Sequence, residues 1–227
     1  PNSGFEDWYT DSDGLPKPAK DASSSFWDCG NVNYFGKHIM TTQNDETALG
    51  QGSSVKMETQ ETMKIIAAGN IFTGTFERDG MGGILTLGRN FECRPNKLKG
   101  YYKYTSAKVS VSKGHLNEGE DDLCSLYIAL TDEQITVNTN KGIYFDPNSS
   151  AVIAYGSISD EESKGADSFK EFTVDLEYKD LKRIPKYIIV VASSSKYGDY
   201  MEGGKGSTMW LDDLELVYPK SMEEVRK

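Results

Sequence analysis

Met209-Trp210-Leu211-Asp212-Asp213-Leu214-Glu215-Leu216-Val217-Tyr218 is the stretch that decides the fold class. No glycine or proline interrupts it, and apolar side chains recur at alternate positions, so it reads as a strand with one face buried. By that parity Asp212 shares the face of Leu214 and Leu216, while Asp213 falls with Leu211 and Glu215. A carboxylate turned toward a core must be compensated. Eight further short β-rich runs lie at 54–60, 71–76, 83–87, 98–104, 123–131, 151–155, 169–176 and 187–193, divided by Gly, Asn, Asp and Ser clusters. Few segments carry a helical period. Nine short strands predict an all-β chain, a two-sheet antiparallel β-sandwich.

Residues 1–218 are expected to form a single domain of the jelly-roll kind, with 219–227 as a polar tail or short helix; neither a repeat nor a linker divides the chain. Hydrophobic residues make up 37% of the 227, enough to pack one core, and 13 tyrosines leave amphipathic rings over. Residues 11–33 and 112–122, rich in Pro, Ser, Asp and Glu, are expected as surface loops. The formal net charge of -10 repels polyanions, which argues against a nucleic-acid partner. No run approaches the roughly 20 apolar residues needed to cross a bilayer. The chain opens at Pro1 without a leader, which leads us to expect a mature form from which a segment was removed. Cys29, Cys93 and Cys124 allow at most one disulfide, and Cys124 lies in an alternating run that suits a core filler.

Sugar rings expose C–H patches that pack on aromatic faces, while their hydroxyls need polar neighbours. Tyr102 and Tyr104 share one face of their strand, opposite Tyr101 and Lys103, and can present stacked rings. Tyr197 and Tyr200, around Gly198 and Asp199 in a Ser- and Gly-rich segment, are candidates for a rim. Trp27 and Tyr34, beside Phe26, Asn31 and Asn33, form a third candidate patch. Glycoside hydrolysis uses two carboxylates. With 35 acidic residues, pairs such as Glu77 with Asp79, Asp175 with Glu177, Asp199 with Glu202, or Glu92 alone, are read first as solvated groups. His38 and His115 accompany no nucleophile elbow or zinc spacing, and the 80–83 and 203–206 glycine clusters lack the Gly-Lys-Ser/Thr of a phosphate loop.

The two ends resemble bookends. Asn2-Ser3-Gly4-Phe5-Glu6-Asp7-Trp8 at the start and the Asp-Asp strand at the end are similar to those of carbohydrate-binding modules with a galactose-binding-like jelly roll. That resemblance implies a structural calcium shared by the early Glu and one late Asp; the strand parity selects Asp212, with Glu6 and carbonyls of residues 51–53 as companions. Ala68-Gly69-Asn70-Ile71-Phe72-Thr73-Gly74, Lys99-Gly100-Tyr101-Tyr102-Lys103-Tyr104 and Val191-Ala192-Ser193-Ser194-Ser195-Lys196-Tyr197-Gly198-Asp199-Tyr200 resemble the PCMD family over about residues 5–218. The name stands for putative carbohydrate metabolism domain. The resemblance implies a jelly roll and a secreted or lipid-anchored bacterial protein of a glycan-use system, in a family some of whose members are labelled glycoside hydrolases. The expected function is therefore extracytoplasmic oligosaccharide or polysaccharide binding, at the cell surface, in the periplasm or secreted, with other proteins of a glycan-uptake system as partners and no catalytic cofactor. A hydrolase with a carboxylate pair on the concave sheet, and a structural or adhesive module, are the alternatives.

Overall fold

Along Lys97–Thr105 every second residue from Leu98 to Tyr104 is buried, the signature of a strand with one face on a core. Two large sheets built from such strands, with three small two-stranded ribbons at 9–17, 32–38 and 60–67, make up the computed structural model, which describes residues 1–219; the expected tail beyond 219 lies outside them. The principal strands are β1 (Thr41–Asn44), β2 (Ser54–Glu58), β3 (Asn70–Asp79), β4 (Gly82–Leu87), β5 (Lys97–Thr105), β6 (Ser125–Thr131), β7 (Ile135–Asn138), β8 (Val152–Ser157), β9 (Ala166–Asp175), β10 (Glu177–Tyr178), β11 (Tyr187–Ser193) and β12 (Thr208–Val217). The smaller sheet has the order β9-β5-β12-β2-β1. The larger runs β7-β4-β3-β11-β6-β8-β10, with Arg89–Asn90 added to β11 and Trp27–Asp28 to β3. Neighbours pair antiparallel throughout both sheets.

Between the sheets lies a core of Val55, Leu98, Leu126, Ile128, Val190 and Leu211 among others. Burying each such side chain contributes about 1.5–3 kcal/mol. The larger sheet is apolar on its other face too, where Phe72, Leu85, Leu87, Ala129, Val137 and Ile189 form a second cluster edged by half-buried Phe76, Tyr127, Phe145, Tyr155 and Val191. A strand covered on both faces reads as a continuous apolar run, which is why Ile188 to Ala192 shows no alternation.

All nine expected runs are strands, but three local expectations change. The parity argument at the last strand fails by one residue. Lys99 pairs with Glu215 and Tyr101 with Asp212, so Asp213 and Leu214 both stand opposite Gly100 in a bulge, with Asp213 at φ +48°. Asp212 therefore opposes Tyr101, on the face away from Leu211, and Leu214 is returned to the core. A side chain at Gly100 would press on Leu214, Phe172 and the Asp212 carbonyl, so the bulge requires glycine there. Residues 11–33 are not merely a surface loop: Leu15, Trp27, Cys29 and Asn31 are buried. The Asn31 side chain accepts from the Met40 and Thr41 amides (2.9 Å each) and donates to the Thr41 carbonyl (2.7 Å), sealing this segment onto β1. Strands β1 and β7 escape the apolar pattern because they are short and rich in Thr, Gln and Asn. All three cysteines are free, Cys29 and Cys124 buried and Cys93 exposed.

Candidate functional site

The segment after β11 carries Tyr197, Asp199 and Tyr200, half-buried, to the outward face of the larger sheet. Ser194 and Ser195 are buried. The Thr59 hydroxyl lies 2.7 Å from Ser194 Oγ and 2.6 Å from Ser195 Oγ; Ser194 donates to the Gly69 carbonyl, and Ser195 to Asp122 Oδ2 at 2.6 Å. Asp122 also accepts from the Gly204 amide at 2.8 Å. Burial raises the Asp122 carboxyl above the usual carboxylate range against the pull of these hydrogen bonds. This network fixes the direction in which the chain leaves the sheet. A single turn at Gly198–Tyr200 follows, with Gly198 so close to Ala68 that a side chain would collide with it.

From that turn Tyr197 and Tyr200 join a ladder of rings. His115 stacks on Tyr197 (centroids 4.4 Å apart, planes at 17°) and lies 4.3 Å from Tyr200, which stacks on Tyr144 at 4.0 Å. Beside the ladder, Phe145 stacks on Tyr127 at 4.9 Å, and Tyr155 stands 6.0 Å from Tyr127. Glu202 holds the loop that carries His115. Its fully buried carboxylate accepts from the amides of Lys113 (2.7 Å), His115 (3.2 Å) and Leu116 (2.5 Å), and Oε2 lies 3.0 Å from His115 Nδ1. Burial alone would raise this carboxyl, but the hydrogen bonds from His115, Leu116 and Lys113 outweigh it and hold it below its ordinary value.

Two cavities open on this face. A small one of about 60 Å³ is lined by Asn70, Ser125, Tyr127, Ser193, Lys196 and Asp199 with apolar side chains of the sheet. A groove of about 340 Å³ continues from Asn70, Leu85 and Asp199 to the hairpins at 32–38, 60–67 and 76–85. Asp199 is common to both walls, and among the described residues no other acidic residue lines either cavity. Burial raises its carboxyl above the usual range. Among the described residues no hydrogen bond or ion pair compensates it, so it is a free acceptor in an apolar setting.

The sequence candidates divide. Tyr34, at the exposed tip of a hairpin with the Arg78 guanidinium 4.2 Å from its ring centre, and Asp199 both line the groove; Tyr197 and Tyr200 belong to the ladder. Trp27, Tyr102 and Tyr104 do not reach this face, which corrects the expectation of a tyrosine shelf on β5. Trp27 is buried against Phe5 and donates to the Pro1 carbonyl at 3.0 Å. Tyr102 and Tyr104 are 0% and 2% exposed because the face they share is the one turned to the core. Of the carboxylate pairs, Asp175 is bound by Lys97 at 2.5 Å and Glu202 is consumed by its loop. Tyr127, Tyr144, Phe145, Tyr155 and His115 were not singled out as site residues; the parity of β6, with Tyr127 between core-facing Leu126 and Ile128, carries the signal for the first of them.

At the other end, Asp212 is 2% exposed and accepts from the Ala48 amide at 2.9 Å. Burial raises its carboxyl, and the charges of Asp213 and Glu6 raise it further. Glu6 accepts from Ser53 Oγ at 3.1 Å, and its carboxylate packs so close to Gly52 that a side chain there would collide with it. Carboxylate oxygens with no sulfur or imidazole ligand beside them among the described residues fit a hard cation and not a soft one. Among the described residues no cluster of three or more His, Cys, Asp or Glu side chains could hold a metal, so backbone carbonyls would have to complete the shell. No described helix is long and apolar enough to cross a membrane.

The fold is that of a crystal structure described as a putative glycoside hydrolase from Bacteroides thetaiotaomicron VPI-5482, with TM-score 0.72 and 23% identity over 96% of this chain and 71% of that one. A second such structure, from Bacteroides vulgatus ATCC 8482, gives TM-score 0.71 and 23% identity over 94% of this chain and 96% of that one. No curated protein matches the chain. The family model described as "Putative carbohydrate metabolism domain" matches residues 4–217, and the chain belongs to that family.

Proposed function

We propose that the chain is an extracytoplasmic carbohydrate-binding module that holds an oligosaccharide on the outward face of its larger sheet, as part of a glycan-capture system with other proteins. The observation that carries this reading is the convergence of Asp199, Asn70, Ser125 and Ser193 on a cavity walled by Tyr127 and adjoining the Tyr144, Phe145 and Tyr200 rings. Half-buried rings offer stacking area and the polar groups offer hydroxyl partners, the pairing a sugar needs. Membership of a carbohydrate-metabolism family supports it. Hydrolysis would need two carboxylates about 5 Å or roughly 6.5–9.5 Å apart across the bond. Among the described residues Asp199 stands without a second acid on the walls of either cavity, which favours recognition over cleavage. A glycan array followed by calorimetry tests the reading: binding should be lost in Tyr144→Ala and Asp199→Ala, and a folded protein that binds no member of a broad array would overturn it.

The Glu6 and Asp212 corner is read as a structural calcium site. Glu6 and Asp212 would supply the charged ligands, and calcium would offset the burial and the neighbouring negative charges that raise the Asp212 carboxyl. Chelator should lower the melting temperature and calcium restore it; a melt indifferent to both, in metal-free protein, sinks the site.

A further inference from the structure

The groove of about 340 Å³ is larger than the sugar reading needs and of different chemistry. Its walls are Val32, Met40, Met63, Ile65, Ala67 and Phe76, and its rim exposes Phe35 (94%), Met63 (87%) and Met81 (69%). Gln60, Thr62, Asn70 and Thr139 also line the groove, but the lining is mostly apolar, so a sugar filling it would leave most of its hydroxyls without partners, which is unfavourable. An apolar patch of this kind on the surface marks a binding surface, and methionines let it adapt to flexible chains. The charges narrow the occupant further. Among the described residues three side chains besides the Tyr34 phenol are ionisable on the groove wall: His38 lies 3.2 Å from the Tyr34 carbonyl, Arg78 rests on the Tyr34 ring and donates to the Gly80 carbonyl, and Asp199 alone has no partner. The Asp199 carboxylate at the inner end, in a protein of net charge -10, repels a carboxylate or phosphate head seated there, while the Arg78 cation lies at the opposite, hairpin end beside Tyr34. The inner end complements a neutral head with hydroxyl donors. Asn70, Leu85 and Asp199 line both cavities, so the groove is continuous with the aromatic wall.

We propose that the groove takes the apolar substituent of a neutral glycoside whose sugar lies against the aromatic wall, so that the ligand is an amphiphilic glycoconjugate. This rests on the sugar-binding reading above, and the experiment separates the two. Calorimetry, run below the micellar concentration, compares methyl, hexyl and octyl β-glucosides and the matching β-galactosides, with decanoate as the anionic control and a neutral glycan array in parallel. Affinity should rise about fourfold per methylene, hence about fifteenfold from hexyl to octyl, until the groove is filled. The double variant Met63→Ser, Met81→Ser alters two exposed side chains and should melt with the parent. It should lose most of that chain-length gain while keeping array binding. Array binding without chain-length dependence overturns the groove assignment and leaves the sugar site standing; failure of array and alkyl glycosides alike removes both. Decanoate binding as tightly as octyl glycosides overturns the neutral head. A ligand-free dimer that the double variant dissociates assigns the groove to a second copy of the chain and overturns the proposal as well.

Discussion

Asp199→Asn should make the protein more stable and a poorer binder at once. The carboxylate sits between the two cavities without a hydrogen bond or counter-charge among the described residues, and burial raises it. Asparagine has the same shape, keeps one acceptor and removes the charge. Because Asp199 is only half-buried, the gain is a fraction of that for a fully desolvated ion, about 1 kcal/mol at neutral pH. For a chain of this size that raises the melting temperature by about 2–4 °C. The pH dependence identifies the cause. A carboxyl whose pKa is higher folded than unfolded costs stability above its folded value, costs less as pH falls through that value, and costs nothing below the unfolded value near 4. The melting gap between variant and parent should therefore be widest at pH 7–8 and close toward pH 4. Affinity should fall about tenfold to a hundredfold, as expected for the loss of hydrogen bonds to a charged acceptor. Scanning calorimetry from pH 4 to 8, paired with titration of a binding glycan, reads both effects. A variant less stable than its parent at pH 7, or a gap that does not change with pH, would refute the reasoning.

Glu202→Ala removes the acceptor of three amides and the partner of His115, and should cost about 3 kcal/mol, or roughly 6–12 °C in melting temperature. Since the Glu202 carboxyl is held low in the fold, its contribution is present above about pH 4.3 and is lost as pH falls through the lower folded value. Hydrogen exchange should quicken at the 113, 115 and 116 amides; unchanged protection there would show that Glu202 does not hold the loop. Tyr102→Ala and Tyr144→Ala separate core from site: the first should cost about 3–5 kcal/mol, the second less than about 1 kcal/mol with loss of glycan binding. Equal destabilisation by both, measured in denaturant, would place Tyr144 in the core.

The strands were legible because alternation, or at 187–193 an unbroken apolar run, is a local property of the chain, and each of the nine runs needs only its own side chains to declare itself. What alternation could not reveal is which face of a strand the rest of the molecule covers. Tyr102 and Tyr104 share a face in any strand; that this face is the inner one depends on β9 and β12 closing around β5. The bulge opposite Gly100 escaped for a similar reason, since two residues against one is a relation between strands and leaves only a glycine as its local trace. The ladder was harder still. His115, Tyr144, Tyr197 and Tyr200 come from three separated segments, and their meeting is written in none of them.

The run Ser193 to Tyr200 shows how the two kinds of information are joined. Ser194 and Ser195 are turned inward and tied to Thr59, Gly69 and Asp122, while Tyr197, Asp199 and Tyr200, only a few residues on, face the cavities or the ladder. A buried, mutually bonded set of hydroxyls has few alternative arrangements, so it sets the direction of the turn that follows. Glu202 and Gly203 then bring the chain back onto the 107–116 segment, through Glu202's grip on the His115 loop and the Gly203 amide's bond to the Val111 carbonyl. The segment is thus clamped on both sides of its exposed residues. That arrangement places an uncompensated carboxylate among aromatic rings, a placement that folding alone does not favour and that a bound sugar, by hydrogen-bonding to it, would.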